Sequence, residues 1–296
     1  MKPSFSIVGC GRVGTALAKF LSKVGYIPTG FASKSLSSAK RAAALIGSTN
    51  FTDVLWEATK KADIVFITTP DGAIEEVCKS IADKNGFNSD SIVLHCSGAL
   101  TSEILLSAKT CGASIGSLHP LQSFASTTEY NINPFSGIVT SVEGDKKAVD
   151  AAKLIVEDLD SVCISIKTDT KILYHASAVV ASNYLVTLLD LSLNLICQAG
   201  VPAKDAFKGL KPLIEGTLSN IENMSIPDAL TGPIARGDVQ TIENHLSEIG
   251  SKTPNLLPLY KTLGLHTIEI AKAKKTITDS TAKRLKELFG DSISQK

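Results

Sequence analysis

The sequence predicts two domains, a doubly wound parallel α/β sheet followed by an all-helical domain. At the N-terminus a glycine-rich turn joins a short apolar strand to an amphipathic helix, and strands then alternate with helices up to residue 167. From residue 168 onward no strand-like run appears. Domains usually hold about 100 to 200 residues, so a chain of 296 residues favours two, here 1–167 and 168–296.

The first strand and its turn form the most informative motif. Residues 5–8 are predicted as a buried strand, and glycines follow with G-x-G-x-x-G spacing. Apolar residues then recur with a helical period from Val13 to Val24. The backbone amides of such a turn and the positive end of the helix dipole face an anion, and a pyrophosphate is the expected one. The motif predicts a Rossmann-type dinucleotide site formed by Gly9, Cys10, Gly11, Arg12, Val13 and Gly14.

The residues after the second strand indicate which nucleotide binds. NAD-specific folds place a carboxylate about 20 residues past the turn, where it binds the ribose 2′-hydroxyl. Here Ser33, Lys34 and Ser35 stand at the end of the predicted strand 26–33, and Arg41 follows. Hydroxyl groups and cations bind a 2′-phosphate, which an acid would repel. The sequence therefore favours NADP over NAD.

Later strands end in polar residues that should face the same crevice, because the carboxyl ends of parallel strands border the ligand. The strands are predicted at 62–68, 91–95, 114–118, 138–142 and 162–166, with helices at 39–46 and 146–159 among them. Thr69 and Pro70 are expected on the cofactor side, and Asp71 is expected to cap the next helix. Ser97 and His119 are expected on loops after their strands.

Candidate proton donors are histidines, since a nicotinamide reaction needs a group that exchanges a proton near neutral pH. His119 and His175 are the two candidates, and His175 lies near the start of a predicted helix 170–199. Ser182 stands roughly 10 Å along this helix on nearly the same face, with Asn183 beside it. Ser97 and Asn183 are expected to polarise an acceptor oxygen.

Other polar residues have more ordinary interpretations. Arg236, in a predicted loop 230–238, could hold a substrate carboxylate or form a surface ion pair, and Asp238 is expected to cap the following helix. His95 is expected to be buried at the end of its strand. His245 and His266 are expected to be ordinary helix residues.

Composition excludes several classes of partner. The net charge of +1, from 30 basic and 29 acidic residues, gives no case for nucleic acid or an anionic membrane. The most apolar segment, 176–201, contains several polar residues, which favours a buried helix over a membrane span. Because the first predicted strand begins close to Met1, no secretory signal is expected. Six cysteines without metal-binding spacing predict reduced core thiols in a cytoplasmic protein and no metal site.

Six motifs taken together resemble a known family: GCGRVG, TTPDG, HCSGA, SLHPLQSF, YHASAVVASN and TGPIARGD. The chain resembles, over nearly its whole length, Rossmann-like NADP-binding reductases with a C-terminal helical domain of unassigned function. They fall in the wider group of 6-phosphogluconate dehydrogenase, pyrroline-5-carboxylate reductase, ketopantoate reductase and prephenate dehydrogenase.

The resemblance implies a fold, a cofactor and a set of contacts. It implies a 6-phosphogluconate dehydrogenase C-terminal-like helical domain, a cleft between the domains and a homodimer formed through the helical domain. It implies NADP binding by the glycines and Ser33, and contacts from Ser97 and His119 to the substrate and the nicotinamide. The lysine role of hydroxyacid dehydrogenases is not transferred, because His175 rather than asparagine follows Lys171 at four residues.

Together these observations predict an NADPH-dependent oxidoreductase that reduces a small carbonyl substrate, with a ketopantoate-like 2-keto acid as the leading class. His119 or His175 would supply the proton, and Arg236 and Ser182 would contact the substrate. An imine reductase, a deazaflavin-linked NADP reductase and an NADP-binding sensor or scaffold without turnover remain alternatives.

Overall fold

The computed structural model describes residues 1–124 and 132–290, and the chain divides into two compact units, Met1–Ala181 and Ser182–Lys296. Within its described residues the first unit contains an eight-stranded sheet with the order β3-β2-β1-β4-β5-β6-β7-β8. The strands are β1 (Ser4–Val8), β2 (Ile27–Ala32), β3 (Phe51–Thr52), β4 (Ile64–Ile67), β5 (Ile92–His95), β6 (Ser114–Pro120), β7 (Val139–Gly144) and β8 (Val162–Ser165).

Helices cover both faces of this sheet, and the buried side chains of β1, β4, β5 and β6 contribute to two apolar cores, one on each face. Helices α1, α2 and α6 contribute to one core, and α3, α4 and α5 to the other. The helices of this unit are α1 (Arg12–Lys23), α2 (Leu36–Ala44), α3 (Leu55–Thr59), α4 (Asp71–Ala82), α5 (Leu106–Thr110), α6 (Lys146–Asp158) and α7 (Lys171–Val179). The predicted α/β class is confirmed. The sequence reading missed only short elements here, notably β3 and α3.

The far edge of the sheet departs from a purely parallel arrangement. β7 runs antiparallel to β6, and β8 runs parallel to β7. The pairing with β7 extends β6 to Pro120, with His119 opposite Ser141. The prediction that His119 lies on a loop is therefore wrong, because a partner strand distant in sequence continues the ladder through it.

The second unit is helical throughout its described residues. Its helices are α8 (Leu185–Gln198), α9 (Ala203–Asn223), α10 (Ile226–Ala229), α11 (Pro233–Arg236), α12 (Val239–Lys252), α13 (Leu257–Ala273) and α14 (Asp279–Gly290). Ile242, Ile268, Leu285 and Phe289 are central members of its core. One turn of helix, α11, replaces part of the loop predicted at 230–238, and glycines with positive φ, Gly232 and Gly237, stand at its two ends.

The predicted helix 170–199 is neither uniform nor buried. A 3₁₀ turn (Thr168–Thr170), α7, a π-helix (Val180–Tyr184) and α8 follow one another without a break. By length and composition Thr168–Gln198 could cross a membrane, yet only 6% of its apolar window is buried in the chain. The prediction of a buried helix is wrong for a single chain, because most of these apolar side chains are exposed among the described residues, although Leu191 is buried.

The thiols also differ in part from the prediction. All six cysteines are free, and Cys10 and Cys78 are buried as expected. Cys163, in contrast, is exposed on β8. Its strand lies at the edge of the sheet, which leaves the side chain without a covering layer.

Candidate functional site

In the glycine turn after β1, two positions have no space for a side chain and the third is open. Gly9 has φ +103°, and a β-carbon on it would lie 2.7 Å from the Thr68 carbonyl carbon. A β-carbon on Gly14 would lie 2.4 Å from the Gly9 oxygen. A β-carbon on Gly11 would meet nothing within 4 Å. The space over Gly11 therefore stays open for a ligand.

The N-terminus of α1 fits an anion for a second reason. No side chain caps this helix, whose N-cap residue is Gly11. Uncapped amide groups at a helix N-terminus, together with the helix dipole, favour a phosphate. The residues present thus fit the pyrophosphate of a dinucleotide.

The side chains between the glycines tie the turn to its neighbours. Arg12 donates from Nη1 to the carbonyl oxygen of Phe124, 3.1 Å away, in the segment that follows β6. The buried Cys10 lies with Sγ 3.6 Å from the carbonyl oxygen of Ala32, at the end of β2. Burial raises the pKa of Cys10 to about 12, so this thiol is neutral. Val13 packs against the core.

Hydroxyl and cationic side chains lie at the end of β2, next to the turn. The Gly9 amide donates to the Ala32 carbonyl oxygen at 2.8 Å, so the residues after Ala32 begin beside the glycines. Lys34 and Ser35 are exposed there, and Ser33 is half-buried. In α2, Arg41 lies close enough for its charge to act on Cys10. Hydroxyl groups and positive charge are thus present at this end of β2.

The segment after β4 borders the turn from the other side. A β-carbon on Gly9 would lie 2.7 Å from the Thr69 backbone nitrogen. The Thr69 hydroxyl is buried and has no hydrogen-bond partner among the described residues. Buried polar groups normally have a partner, so an unpaired hydroxyl beside the turn is a further feature that a bound ligand would satisfy. Pro70, which follows, is exposed.

Asp71 does not cap α4 as predicted. Pro70 occupies the N-cap position and no side chain caps the helix. The Asp71 carboxylate instead accepts a hydrogen bond of 2.8 Å from the Ser97 hydroxyl, after β5. Ser97 Oγ in turn accepts from the Leu100 amide at 3.0 Å. The single proton of Ser97 is therefore directed to Asp71.

His95 also forms hydrogen bonds with the loop after β5. Its Nδ1 accepts from the Ser97 amide at 3.1 Å, and its Nε2 lies 3.2 Å from the Thr101 carbonyl oxygen. Burial, with a smaller effect of the Lys171 charge, lowers the pKa of His95 to about 3. A neutral imidazole with its proton on Nε2 satisfies both bonds. His95 is buried, as expected, and holds the loop that carries Ser97 and Gly98.

The two candidate histidines lie together over Gly98. A β-carbon on Gly98 would lie 2.7 Å from His119 Nε2 and 2.8 Å from His175 Nδ1. The two imidazole rings are 6.3 Å apart at their centres. His175 Nδ1 is buried and has no partner among the described residues. Two ring nitrogens therefore lie beside one small residue at the sheet edge.

An ion pair lies behind this group and was not predicted. Lys171 Nζ lies 3.0 Å from Glu143 Oε1 and 2.5 Å from Ser117 Oγ, and both charged side chains are buried. Burial would raise the pKa of Glu143, but the Lys171 charge and several hydrogen bonds lower it below its usual value. Glu143 could have been noticed as a charge within an otherwise apolar strand. The Lys171 ammonium group is thus held in a buried ion pair with Glu143.

The His119 imidazole responds to these surroundings. Burial is the main cause that lowers its pKa to about 4, and the charges of Lys171 and His175 add to it. Asp71 acts in the opposite direction. His119 is therefore neutral at pH 7. Its Nδ1 lies 3.1 Å from the hydroxyl of Tyr174, a residue that the sequence reasoning missed although it precedes His175 in the chain.

The remaining predicted residues belong to the second unit. Ser182 and Asn183 lie exposed in the π-helix, whereas the prediction assumed α-helical spacing. Arg236 is exposed at the end of α11. Asp238 caps α12 as predicted, by accepting from the Thr241 amide at 3.1 Å. The catalytic and substrate-binding roles of Ser182, Asn183 and Arg236 stay predictions.

Two further histidines lie in the second unit. His245 Nδ1 lies 2.8 Å from the Tyr260 hydroxyl, a polar neighbour that its own helix did not reveal. His266 lies on α13. Within residues 1–124 and 132–290 no group of three or more His, Cys, Asp or Glu side chains could hold a metal ion.

The sheet order, the glycine turn and the uncapped α1 together define a Rossmann-type nucleotide-binding unit. A model of the Rossmann-like domain matches residues 2–120, and a model of a domain of unknown function, DUF2520, matches residues 138–267. The chain therefore combines a Rossmann-like domain with a DUF2520 domain. The comparison with curated proteins found no match.

Solved structures share this arrangement. Protein TM1727 from Thermotoga maritima is 27% identical with a TM-score of 0.71, and the match covers 92% of this chain and 99% of that one. A Bacteroides fragilis protein assigned as an NADP oxidoreductase is 22% identical with a TM-score of 0.73, covering 90% and 98%. Plasmodium falciparum pyrroline carboxylate reductase, solved with NADP bound, is 13% identical with a TM-score of 0.57, covering 97% and 98%.

Prephenate dehydrogenase and imine reductase structures share the fold as well. Several of these structural neighbours are thus NAD(P)-linked oxidoreductases. The present chain has the fold of that class.

Proposed function

We propose that the protein is an NADP(H)-dependent oxidoreductase that reduces a small carbonyl compound, with a ketopantoate-like 2-keto acid as the leading substrate class. The observation that carries the proposal is the pair of ring nitrogens, His119 Nε2 and His175 Nδ1, that both lie within 2.8 Å of the β-carbon position of Gly98. β5 and β6 end at the same sheet edge as β1, where the glycine turn stands. A nicotinamide reaching from that turn would meet the two imidazoles.

The choice of NADP over NAD is supported by the residues beside the turn. Ser33, Lys34, Ser35 and Arg41 offer hydroxyls and positive charge, and none offers a carboxylate. The pyrophosphate would bind at the amides after Gly11, with Arg12 and Thr69 as further donors. When bound, the dihydronicotinamide supplies a hydride to the acceptor carbon.

The side chains then divide the remaining work. His119 is neutral at pH 7 and donates a hydrogen bond to the acceptor oxygen from one ring nitrogen. As the carbonyl group is reduced, His175 transfers a proton to its oxygen. Ser97 and its partner Asp71 hold the loop of Gly98 in place.

An imine is the second candidate substrate, and one observation favours it. The Asp71 carboxylate acts electrostatically on His119, where it stabilises positive charge. A protonated imine would be attracted by such a carboxylate, whereas a keto acid would need a cation to offset it. The fold neighbours named imine reductases make the same substrate class worth testing.

The experiment begins with binding. NADPH and NADH are titrated by fluorescence, and absorbance loss is then followed with panels of 2-keto acids, cyclic imines and an oxidised deazaflavin. Gly11→Ala should fold normally, because its β-carbon meets open space, yet should weaken NADPH binding; Gly209→Ala, which also meets open space, is the control. Wild-type protein without affinity for either nucleotide would refute the proposal.

A second variant separates turnover from binding. Gly98→Ala places a methyl group against both imidazoles, so turnover should fall by about 100-fold, as expected when reacting groups are displaced by about 1 Å. NADPH affinity should stay within a factor of two or so of wild type, since Gly98 lies outside the glycine turn. Nucleotide binding without turnover on any panel would favour the sensor or scaffold alternative.

A second copy of the chain is proposed as the partner. The exposed apolar side chains along α8 and α9 form a larger set than isolated surface residues; they include Val186, Leu188, Phe207, Leu213 and Leu218. Asn183, Asp190 and Asn194 interrupt the segment, which makes lipid a poor cover. A two-fold dimer would bury such a face against its equal. The free cysteines fit a reducing compartment, the cytoplasm.

A further inference from the structure

We propose that Tyr174 is a positioning residue for His119: its hydroxyl donates to His119 Nδ1 and so fixes the imidazole proton on Nε2, the nitrogen beside Gly98. The catalytic value of this arrangement rests on the proposed function. The protonation pattern of the ring does not, and it can be measured without any substrate.

The contact between the two side chains is specific. Tyr174 Oη lies 3.1 Å from His119 Nδ1, and the rings meet edge to face with their centres 5.6 Å apart and an interplanar angle of 88°. A neutral imidazole has one N–H and one acceptor nitrogen. The direction of the hydrogen bond to Tyr174 therefore decides which nitrogen carries the proton.

The surroundings of Tyr174 set that direction. Ser141 stands opposite His119 in the β6–β7 ladder, and its hydroxyl is fully buried. Its Oγ has no hydrogen-bond partner among the described residues. Ser141 lowers the pKa of the Tyr174 phenol, as a hydroxyl that donates toward the phenol oxygen would. The Ser141 hydroxyl can thus donate to the Tyr174 oxygen, and the Tyr174 hydroxyl then donates its own proton to His119 Nδ1.

Burial keeps both partners in the forms that this bond needs. It raises the pKa of Tyr174 by more than Ser141 lowers it, so the phenol retains its proton. Burial and the Lys171 charge keep His119 neutral. An imidazolium carries protons on both nitrogens, so it has no tautomers. A neutral ring has two, and the hydrogen bond from Tyr174 selects the one with the proton on Nε2.

The consequence appears at the opposite nitrogen. With Nδ1 accepting from Tyr174, His119 Nε2 carries the hydrogen and faces the space over Gly98, shared with His175 Nδ1. A carbonyl oxygen placed there receives a hydrogen bond. The other tautomer would present a lone pair and repel the same oxygen.

The test replaces the hydroxyl and keeps the ring. Protein labelled with ¹⁵N-histidine is studied by NMR in wild-type and Tyr174→Phe forms, with His119 assigned through His119→Gln. Wild-type His119 should carry its proton on Nε2, and the Tyr174→Phe protein should show a substantial Nδ1–H population. A wild-type Nδ1–H ring, or an unchanged tautomer in the variant, would overturn the proposal.

Two further variants sharpen this result. Ser141→Ala removes the proton directed to the phenol oxygen, which frees that oxygen to accept from His119, so a partial shift toward Nδ1–H is expected. Tyr184→Phe alters an exposed tyrosine of the adjoining π-helix and should leave the His119 spectrum unchanged. A shift equal to that of Tyr174→Phe in this control would count against a specific contact.

The kinetic readout separates this inference from the proposed function. If the reductase proposal holds, Tyr174→Phe should lower kcat at least about 10-fold with KM for NADPH unchanged, since a wrong histidine tautomer costs up to about 10⁴-fold in a catalytic triad. If no substrate is turned over while the NMR shift is observed, the proposed function fails and the role of Tyr174 stands.

Discussion

Lys171 and Glu143 illustrate at the scale of residues how much a buried charge depends on its partner. The pair is inaccessible to solvent, and Glu143 also accepts hydrogen bonds from the Ser102 amide at 2.8 Å and from the Thr168 hydroxyl at 3.0 Å. The attraction within such a pair roughly offsets the cost of removing both charges from water. The pair therefore contributes little net stability while intact, but either charge alone is costly.

Lys171→Met is expected to lower the free energy of unfolding by about 3 to 5 kcal/mol, the usual cost of leaving one buried charge unpaired. Urea denaturation followed by circular dichroism measures the change. The double variant Lys171→Met with Glu143→Gln should recover part of the loss. Lys146→Met, which removes an exposed i,i+4 pair with Asp150, is the control and should have no measurable effect. An equally mild effect of Lys171→Met would contradict the argument.

The two buried histidines predict a dependence of stability on pH. Their pKa values of about 3 for His95 and about 4 for His119 lie below the unfolded value of about 6.5. Between these limits the unfolded chain binds protons that the folded chain does not. Stability is therefore greatest above about pH 6.5 and falls as the pH drops toward 4, by about 1.4 kcal/mol per pH unit for each histidine.

Unfolding in urea at pH 7, 6 and 5 measures this slope. His95→Gln should reduce the slope between pH 6 and 5 by about one proton, since it removes one of the two groups. An identical slope in wild type and variant would show that His95 is not neutral in the folded protein.

At the scale of elements, the sequence predicts those features that are formed by residues close together in the chain. The motif of the glycine turn spans six residues, and the apolar period of α1 is also a local pattern. The sequence therefore predicts that both follow β1. The extension of β6 through His119 could not be predicted, because it depends on pairing with β7 about 20 residues away, across Thr140 and Ser141.

The candidate site shows the same division. His119, His175 and Ser97 were identified as residue types suited to the chemistry, but their arrangement around Gly98 joins three distant segments. Tyr174 and Glu143 were missed because their partners are distant in sequence. The π-helix at Val180–Tyr184 also escaped prediction, since an apolar period of 3.6 residues does not distinguish one wide turn.

The segment after β2 yields a prediction at this scale. Ser33→Asp places a carboxylate at the end of the strand, where it would repel a 2′-phosphate and accept from a ribose 2′-hydroxyl. NADPH affinity should fall at least about 10-fold, which corresponds to about 1.4 kcal/mol, while NADH affinity is kept or improved. Fluorescence titration of both nucleotides measures the ratio. Ser37→Asp, farther into α2, is the control, and an equal effect there would argue for a general charge effect.

For the whole molecule, the exposed apolar side chains along α8 and α9 lead to the prediction that the chain pairs with a second copy in solution. Val186 is 67% exposed on α8 in the single chain, so Val186→Glu should leave each folded unit intact. If a second copy covers these side chains, wild type should have twice the mass of one chain by light scattering, and the variant should be monomeric. Lys283→Glu, on the exposed side of α14, should remain dimeric. Wild-type protein that is monomeric, or that requires detergent, would contradict the dimer, the second outcome favouring lipid as the cover.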